Sequence, residues 1–208
     1  MNRTLVTDKL VVASHNHGKI IEIKDLVEPF GIKTVSSHEL NLLEPEETGL
    51  TYRDNAELKA IYSARKSLLP ALADDSGLSV DILDGDPGIY SARWAGKNKD
   101  FSIAIQRVKE AILEKGKSLE KQKAKFICAL SLCWPDGHCE TFQGEVLGKL
   151  TFPPRGKKGF GYDPIFVPDG FEITFGEMDP NKKHSMSHRS HAFRQLIDNC
   201  FERKTFKF

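Results

Sequence analysis

Four stretches of the chain combine residue types that suit phosphate and metal chemistry. The first is Ser14-His15-Asn16-His17-Gly18-Lys19, between an apolar run and a helical stripe. The N-terminus of a helix offers unpaired N–H donors and the positive end of the helix dipole, so it attracts phosphate. Lys19 adds a mobile cation, and Ser14 and Asn16 add short polar groups. The GxxxxGK[ST] pattern of a P-loop is absent. The plainer reading of these residues is a polar turn that caps a helix. The second stretch is acidic: Glu46 and Glu47, then Asp74 and Asp75. Carboxylates suit Mg²⁺, which takes oxygen ligands beside substrate phosphates, and a carboxylate can take a proton from an attacking water. Neighbouring aspartates on an extended strand face opposite ways, so only one of Asp74 and Asp75 is expected to serve a site. The plainer reading is a solvated acidic surface with a helix cap. Ser76 and Gly77 predict a sharp turn just after Asp75.

The third stretch runs from Pro154 to Pro164 and includes Phe160, Gly161, Tyr162 and Asp163. Its glycines let backbone approach a ligand, and Phe160 or Tyr162 could stack on a base. The alternative is a basic surface loop. The fourth holds Lys182, Lys183, His184, Ser187, His188 and Arg189. Ser187 is placed to cap the last helix, leaving His188 and Arg189 in its first turn, where the dipole disfavours cations and an anionic or polar partner would offset them. The alternative is a solvated helix start. A zinc site from His184, His188 and His191 lacks an HExxH signature.

These residues need elements to hold them. Residues 10–13 are apolar and read as a buried strand; Ile20, Ile23, Val27 and Phe30 recur at helical spacing, ended by Pro29 and Gly31. A second helix is expected over about 54–68, with Asp54 as N-cap and Glu57 three residues on. Phe101, Ile105, Val108 and Ile112 mark the clearest amphipathic helix. Residues 126–133 and 141–150 predict a hairpin through Pro135-Asp136-Gly137-His138. Residues 165–167 predict a short strand, and Ala192, Phe193, Leu196, Ile197 and Cys200 a final helix. Interleaved helices and strands indicate a mixed α/β fold.

Composition narrows the function classes. The chain has 208 residues, with 30 Lys and Arg against 29 Asp and Glu, a formal net charge of +1. That balance excludes binding of nucleic acid through bulk positive charge. Hydrophobic residues make up 39%, enough for an ordinary globular core without disulfide staples. The cysteines Cys128, Cys133, Cys139 and Cys200 form neither a CxxC pair nor a zinc ribbon, and read as reduced packing thiols of a cytoplasmic protein. Arg3, Asp8 and Lys9 precede any apolar stretch, unlike a signal peptide. The longest apolar run, residues 126–134, is too short to span a bilayer.

Taken together, the segments resemble the inosine triphosphate pyrophosphatase family. The matching stretches are SHNHGK at 14–19, EETGLTYRDNAELKA at 46–60, ADDSGLSVDILDGDPGIYSARWAG at 73–96, FGYDPIF at 160–166 and SHR at 187–189. The resemblance implies one domain over 1–208: a long mixed β-sheet flanked by helices, with two lobes around a central nucleotide cleft. It implies a Mg²⁺-dependent homodimer that converts dITP, ITP or XTP to monophosphate and pyrophosphate. By motif position, Ser14, His15, Asn16, His17, Gly18 and Lys19 would bind phosphate, and Glu46 and Asp75 would hold the metal. Asp75 would also be the proton acceptor, and Ser76 would touch substrate. Phe160, Gly161, Tyr162, Asp163, Lys183, His188 and Arg189 would enclose and read the base. Ser14 stands where threonine is common, and His15 and His17 flank Asn16 where smaller residues are frequent. A rival class, a nucleotide- or RNA-binding protein without hydrolysis, would use the same loops but leaves the acidic pair unexplained.

Overall fold

The computed structural model describes residues 3–201. In chain order the elements are β1 (Lys9–Val12), α1 (His17–Val27), β2 (Lys33–Ser36), α2 (Tyr52–Ser67), β3 (Ala71–Val80), α3 (Ser91–Trp94), α4 (Phe101–Glu114), β4 (Lys123–Cys133), β5 (Cys139–Leu150), β6 (Phe166–Pro168), α5 (Pro180–Met186) and α6 (His188–Cys200). The six strands form a mixed sheet in the order β2-β1-β3-β4-β5-β6. β1 pairs in parallel with β2, Lys9 opposite Lys33, and with β3, Val11 opposite Ala71; β5 and β6 are antiparallel. This is the α/β class that the interleaved pattern predicts.

The chain packs into two compact units. The first takes in residues up to Asp75, 129–144 and those from Arg189 onward; the second takes in 76–128 and 145–188. In the first unit, Leu10, Val11 and Val12 are fully buried, as expected of a parallel strand covered on both faces. Ala60 and Ala64 of α2 pack with Val11, Ala71, Ala73 and Cys133. Their small side chains let α2 lie close to the strands. In the second unit, Ala104, Val108 and Ile112 recur every four residues on α4 and join Leu78, Phe126, Phe166 and Phe175 in one core. Asp100 caps α4 by accepting from the Ser102 N–H at 2.9 Å.

Several expectations are corrected. α2 starts earlier than Asp54: Thr51 is the N-cap, and Thr51 and Asp54 exchange hydrogen bonds as a capping box. The Asp74–Gly77 segment is not a turn, because β3 continues through it to Val80. Turn-rich composition is overridden there by burial and by partners for the charges. α1 ends at Val27, and Glu28–Phe30 form a 3-10 turn closed by Gly31 in the left-handed region at φ 72°. β2 and the short α5 have no counterpart in the sequence expectation. Ile165 ends the 3-10 turn Asp163–Ile165, and β6 begins at Phe166.

Cys133 and Cys139 are joined in a disulfide, whereas all four cysteines were expected to be thiols. The 135–138 turn explains the difference. It brings the last residue of β4 and the first of β5 to a Cα separation of 4.2 Å, within disulfide reach. Cys128 and Cys200 are buried free thiols. Among the described residues no helix is long and apolar enough to cross a membrane.

Candidate functional site

In the first unit, the turn from β1 into α1 is built as its sequence suggests. Asn16 is the N-cap of α1, its Oδ1 accepting from the Lys19 N–H at 3.2 Å. Ser14 Oγ accepts from the Asn16 N–H at 3.1 Å. His15 Nε2 is 2.9 Å from the Leu42 carbonyl, so that ring is tied to the following loop, while His17 is exposed as the first helical residue. Gly18 and Lys19 complete the first turn. The turn is an N-cap: the Asn16 side chain takes one N–H of a helix start that carries the positive dipole end.

Asp74 and Asp75 diverge, as strand alternation requires. Asp74 is buried and receives Lys19 Nζ on Oδ1 at 2.5 Å. Its Oδ2 accepts from Arg189 Nε at 3.2 Å and Nη2 at 2.9 Å. Arg189 Nη1 also pairs with Glu22 of α1. Burial acts to raise the Asp74 pKa, but Arg189 and Lys19 outweigh it and hold the carboxyl well below the usual range. Asp74 is thus a fixed anion that orders two cations.

Asp75 has a different neighbour. Its Oδ1 accepts from Lys59 Nζ at 2.9 Å, and the same ammonium donates to Glu47 Oε1 at 2.6 Å. Asp75 Oδ2 is buried without a hydrogen-bond partner. Burial pushes the Asp75 pKa up, helped by the charge of Glu47 and opposed by Lys59 and Lys19. Burial works to lower Lys59, but Asp75 and Glu47 more than offset it and keep the ammonium protonated. Glu46, the residue expected to ligate metal, is exposed; its neighbour Glu47 carries the carboxylate that joins Asp75. Two carboxylates facing one ammonium offer hard oxygen donors of the kind a divalent cation takes; among the described residues no group of three or more His, Cys, Asp or Glu side chains gathers to hold a metal, so substrate or water would supply the remaining ligands.

Lys59 and Glu22 escaped the sequence reading. Lys59 sits in a polar row, Asn55, Lys59 and Ser63, beside the row Ala56, Ala60 and Ala64, and both rows are buried on α2. The four-residue repeat of Asn55, Lys59 and Ser63 is the signal that could have found it. Glu22, one helical turn beyond Lys19, has the spacing of a side-chain neighbour.

In the second unit, Asp163 is the hub of the glycine-rich loop. Its Oδ2 accepts from the Phe160 N–H at 2.8 Å and from Lys183 Nζ at 2.7 Å. Lys183 is buried on this pair while Lys182 is exposed, which separates the two adjacent lysines. The Lys183 ammonium lies 4.9 Å from the centroid of the half-buried Phe160 ring. Tyr162 is a core residue: its ring meets Phe101 edge-on, and its hydroxyl donates to the Ser91 carbonyl at 2.9 Å. Gly161 has φ 67°, which favours glycine. The His188 ring stacks on Phe126 at 5.0 Å. Ser76, next after Asp75 on β3, is half-buried.

The Ham1 family profile matches residues 10–199. The chain is 56% identical to the dITP/XTP pyrophosphatase of Rhodospirillum centenum, covering 96% of this chain and 98% of that one. It is 52% identical to the dITP/XTP pyrophosphatase of Agrobacterium fabrum, covering 96% and 99%. A HAM1 protein from Coxiella burnetii superposes with a TM-score of 0.83 at 38% identity, covering 92% of this chain and 98% of that one.

Proposed function

The chain belongs to the Ham1 family, and from that premise we propose how its residues carry out the hydrolysis of noncanonical purine nucleoside triphosphates, dITP, ITP and XTP, to monophosphate and pyrophosphate. The observation that carries the mechanism is the asymmetry of Asp75. One oxygen is anchored on Lys59 and the other is buried with no partner. A carboxylate so held can orient a water and take its proton as the water attacks the α-phosphorus.

Asp75 and Glu47, with Glu46 adjacent on the same loop, would hold Mg²⁺. When bound, the ion would neutralise phosphate oxygens and the charge developing on the leaving pyrophosphate. Ser14, His15, Asn16, His17, Gly18 and Lys19 form the phosphate-binding turn, and Asp74 keeps the Lys19 ammonium in place. Ser76 contacts substrate from β3. Phe160 is the ring offered to the base, with the backbone of Gly161, Tyr162 and Asp163 beside it. Asp163 and Lys183 fix its loop, and His188 donates to the 6-keto group. Arg189 organises Asp74 and Glu22 rather than reading the base. A donor-lined pocket accepts a 6-keto purine and leaves the amino group of adenine mismatched, a discrimination worth roughly 10⁴-fold or more.

The test is product analysis. ITP, dITP, XTP, GTP and ATP are incubated with Mg²⁺, and monophosphate, pyrophosphate and orthophosphate are quantified. Monophosphate plus pyrophosphate from the first three is expected, with Asp75→Asn folded and inactive. Orthophosphate release, ITP binding without turnover, or equal use of ATP and ITP would each overturn the reading. The protein is also proposed to act as a cytoplasmic homodimer that binds neither nucleic acid nor membrane; light scattering should return about twice 23.4 kDa.

A further inference from the structure

Residues 43–50 have no regular secondary structure, yet they carry Glu47 to a buried ammonium twelve positions along the chain. The Glu47–Lys59 contact joins two long, flexible side chains. Ordering both costs rotamer entropy, so the pair alone is a weak way to fix a loop. A second tether lies one helical turn away. Asn55 is fully buried on α2, four residues before Lys59 and on the same face. Its Oδ1 accepts from the Gly49 N–H at 2.8 Å, holding the backbone two residues beyond Glu47.

Gly49 matches this contact by its missing side chain. A Cβ there would lie 2.6 Å from Asn55 Oδ1, 2.6 Å from Asp54 Cβ and 2.9 Å from the Asn55 nitrogen. The glycine is required by close approach of the loop to the first turn of α2, where Thr51 and Asp54 already lock the helix start. Asn55 Nδ2 is buried with no hydrogen-bond partner, so the acceptor oxygen is the end of the amide that holds the loop.

We propose that Asn55, through the Gly49 backbone, is a positioning residue that sets the Glu47 carboxylate beside Asp75 and thereby the affinity for the divalent cation. The proposal rests on the reading that Glu47 and Asp75 hold that cation. Residues that orient metal ligands typically change metal affinity by about 10–100-fold when removed.

The experiment measures Mn²⁺ binding by electron paramagnetic resonance in the wild type, Asn55→Ala, Gly49→Ala and Glu47→Gln, with urea midpoints for each. Asn55→Ala removes the acceptor, and Gly49→Ala pushes the loop away while leaving Asn55 in place. Both should bind Mn²⁺ about 10–100-fold more weakly. Both should also regain near-wild-type kcat for ITP at high Mg²⁺, because the reacting groups are intact. If Glu47→Gln binds Mn²⁺ like the wild type, the underlying metal reading fails. If Glu47→Gln is weakened and the other two are not, the positioning role of Asn55 fails. Hydrogen exchange of the Gly49 amide in the wild type gives a check that needs no variant: protection is expected, and exchange at the rate of a free loop would overturn the proposal.

Discussion

Arg189 is expected from its motif position to read the base. In the structure its guanidinium pairs with Asp74 and Glu22, and its side chain is 2% exposed. Arg189→Met keeps volume and removes the charge. Breaking a buried ion pair from one side costs about 3–5 kcal/mol, because the partner is left charged in a poorly solvating place. Asp74 retains Lys19 at 2.5 Å, so the lower end applies, about 3 kcal/mol. For a chain of this size that is roughly 6–12 °C in Tm. The sign with pH follows from Asp74. Its pKa is depressed in the fold, so it contributes stability above its unfolded value of about 3.9, and that stability is lost as pH falls. Arg189 supplies part of the depression, so the gap between wild type and variant should be widest near neutrality and shrink below about pH 4. The assay is urea unfolding from pH 3 to 8, with Asp74→Asn and the double variant completing a cycle. The double variant should be less destabilised than the sum by about 0.5–3 kcal/mol. Unchanged unfolding in Arg189→Met, together with a lost preference for ITP over ATP, would refute the reasoning and return Arg189 to the base.

Four further outcomes are expected. Without Mg²⁺, Asp75 should titrate above the ordinary aspartate range, because burial and then Glu47 raise it; Lys59→Met should move it higher still, and the carboxyl NMR signal followed across pH would expose an unmoved titration. Gly77→Ala should cost about 1–3 kcal/mol in urea unfolding, since a Cβ would collide with the Gly88 carbonyl and Ser91 Oγ, the latter accepting from the Leu78 N–H at 2.9 Å. Denatured without reductant, the protein should titrate two thiols, Cys128 and Cys200, and four after reduction; four at the outset would contradict the Cys133–Cys139 bond. In the native state Cys200 should react slowly, its thiol pushed up to about 12 by burial.

Elements whose apolar residues face one core were legible. α4 shows its period because Ala104, Val108 and Ile112 are all apolar, and the β4–β5 hairpin shows because its turn has Pro, Asp and Gly in four residues. β2 was invisible: Lys33 and Thr34 reveal nothing of a strand that is added in parallel beside β1 through a crossover. β3 was cut short for a related reason. Asp-Asp-Ser-Gly has the composition of a turn, and only its partners, Lys19 and Arg189 for one aspartate and Lys59 for the other, keep it extended and buried.

The same logic separates the site residues that local sequence exposes from those it hides. The turn into α1 is local: Ser14, Asn16 and the Lys19 N–H lie within six residues, so adjacency and helix polarity suffice to recognise it. The carboxylate cluster is not. Glu47, Lys59 and Asp75 come from a loop, a helix and a strand, and no short window contains two of them. On α2 the buried row Asn55, Lys59 and Ser63 has the composition of a solvated face. Burying such a row is unfavourable unless each group finds a partner, and here they are Gly49, then Glu47 with Asp75, then Ser37. A polar row is therefore distinguished from a surface by the small residues beside it. Ala56, Ala60 and Ala64 would gain little from facing water, and on a helix they mark close packing against the sheet. Polar positions next to that alanine row are drawn into the interior with it, and the charged member is then under pressure to find counter-charges. Lys59 does so on the loop and on the strand, making one ammonium the anchor for both carboxylates for which the metal and proton-accepting roles are proposed.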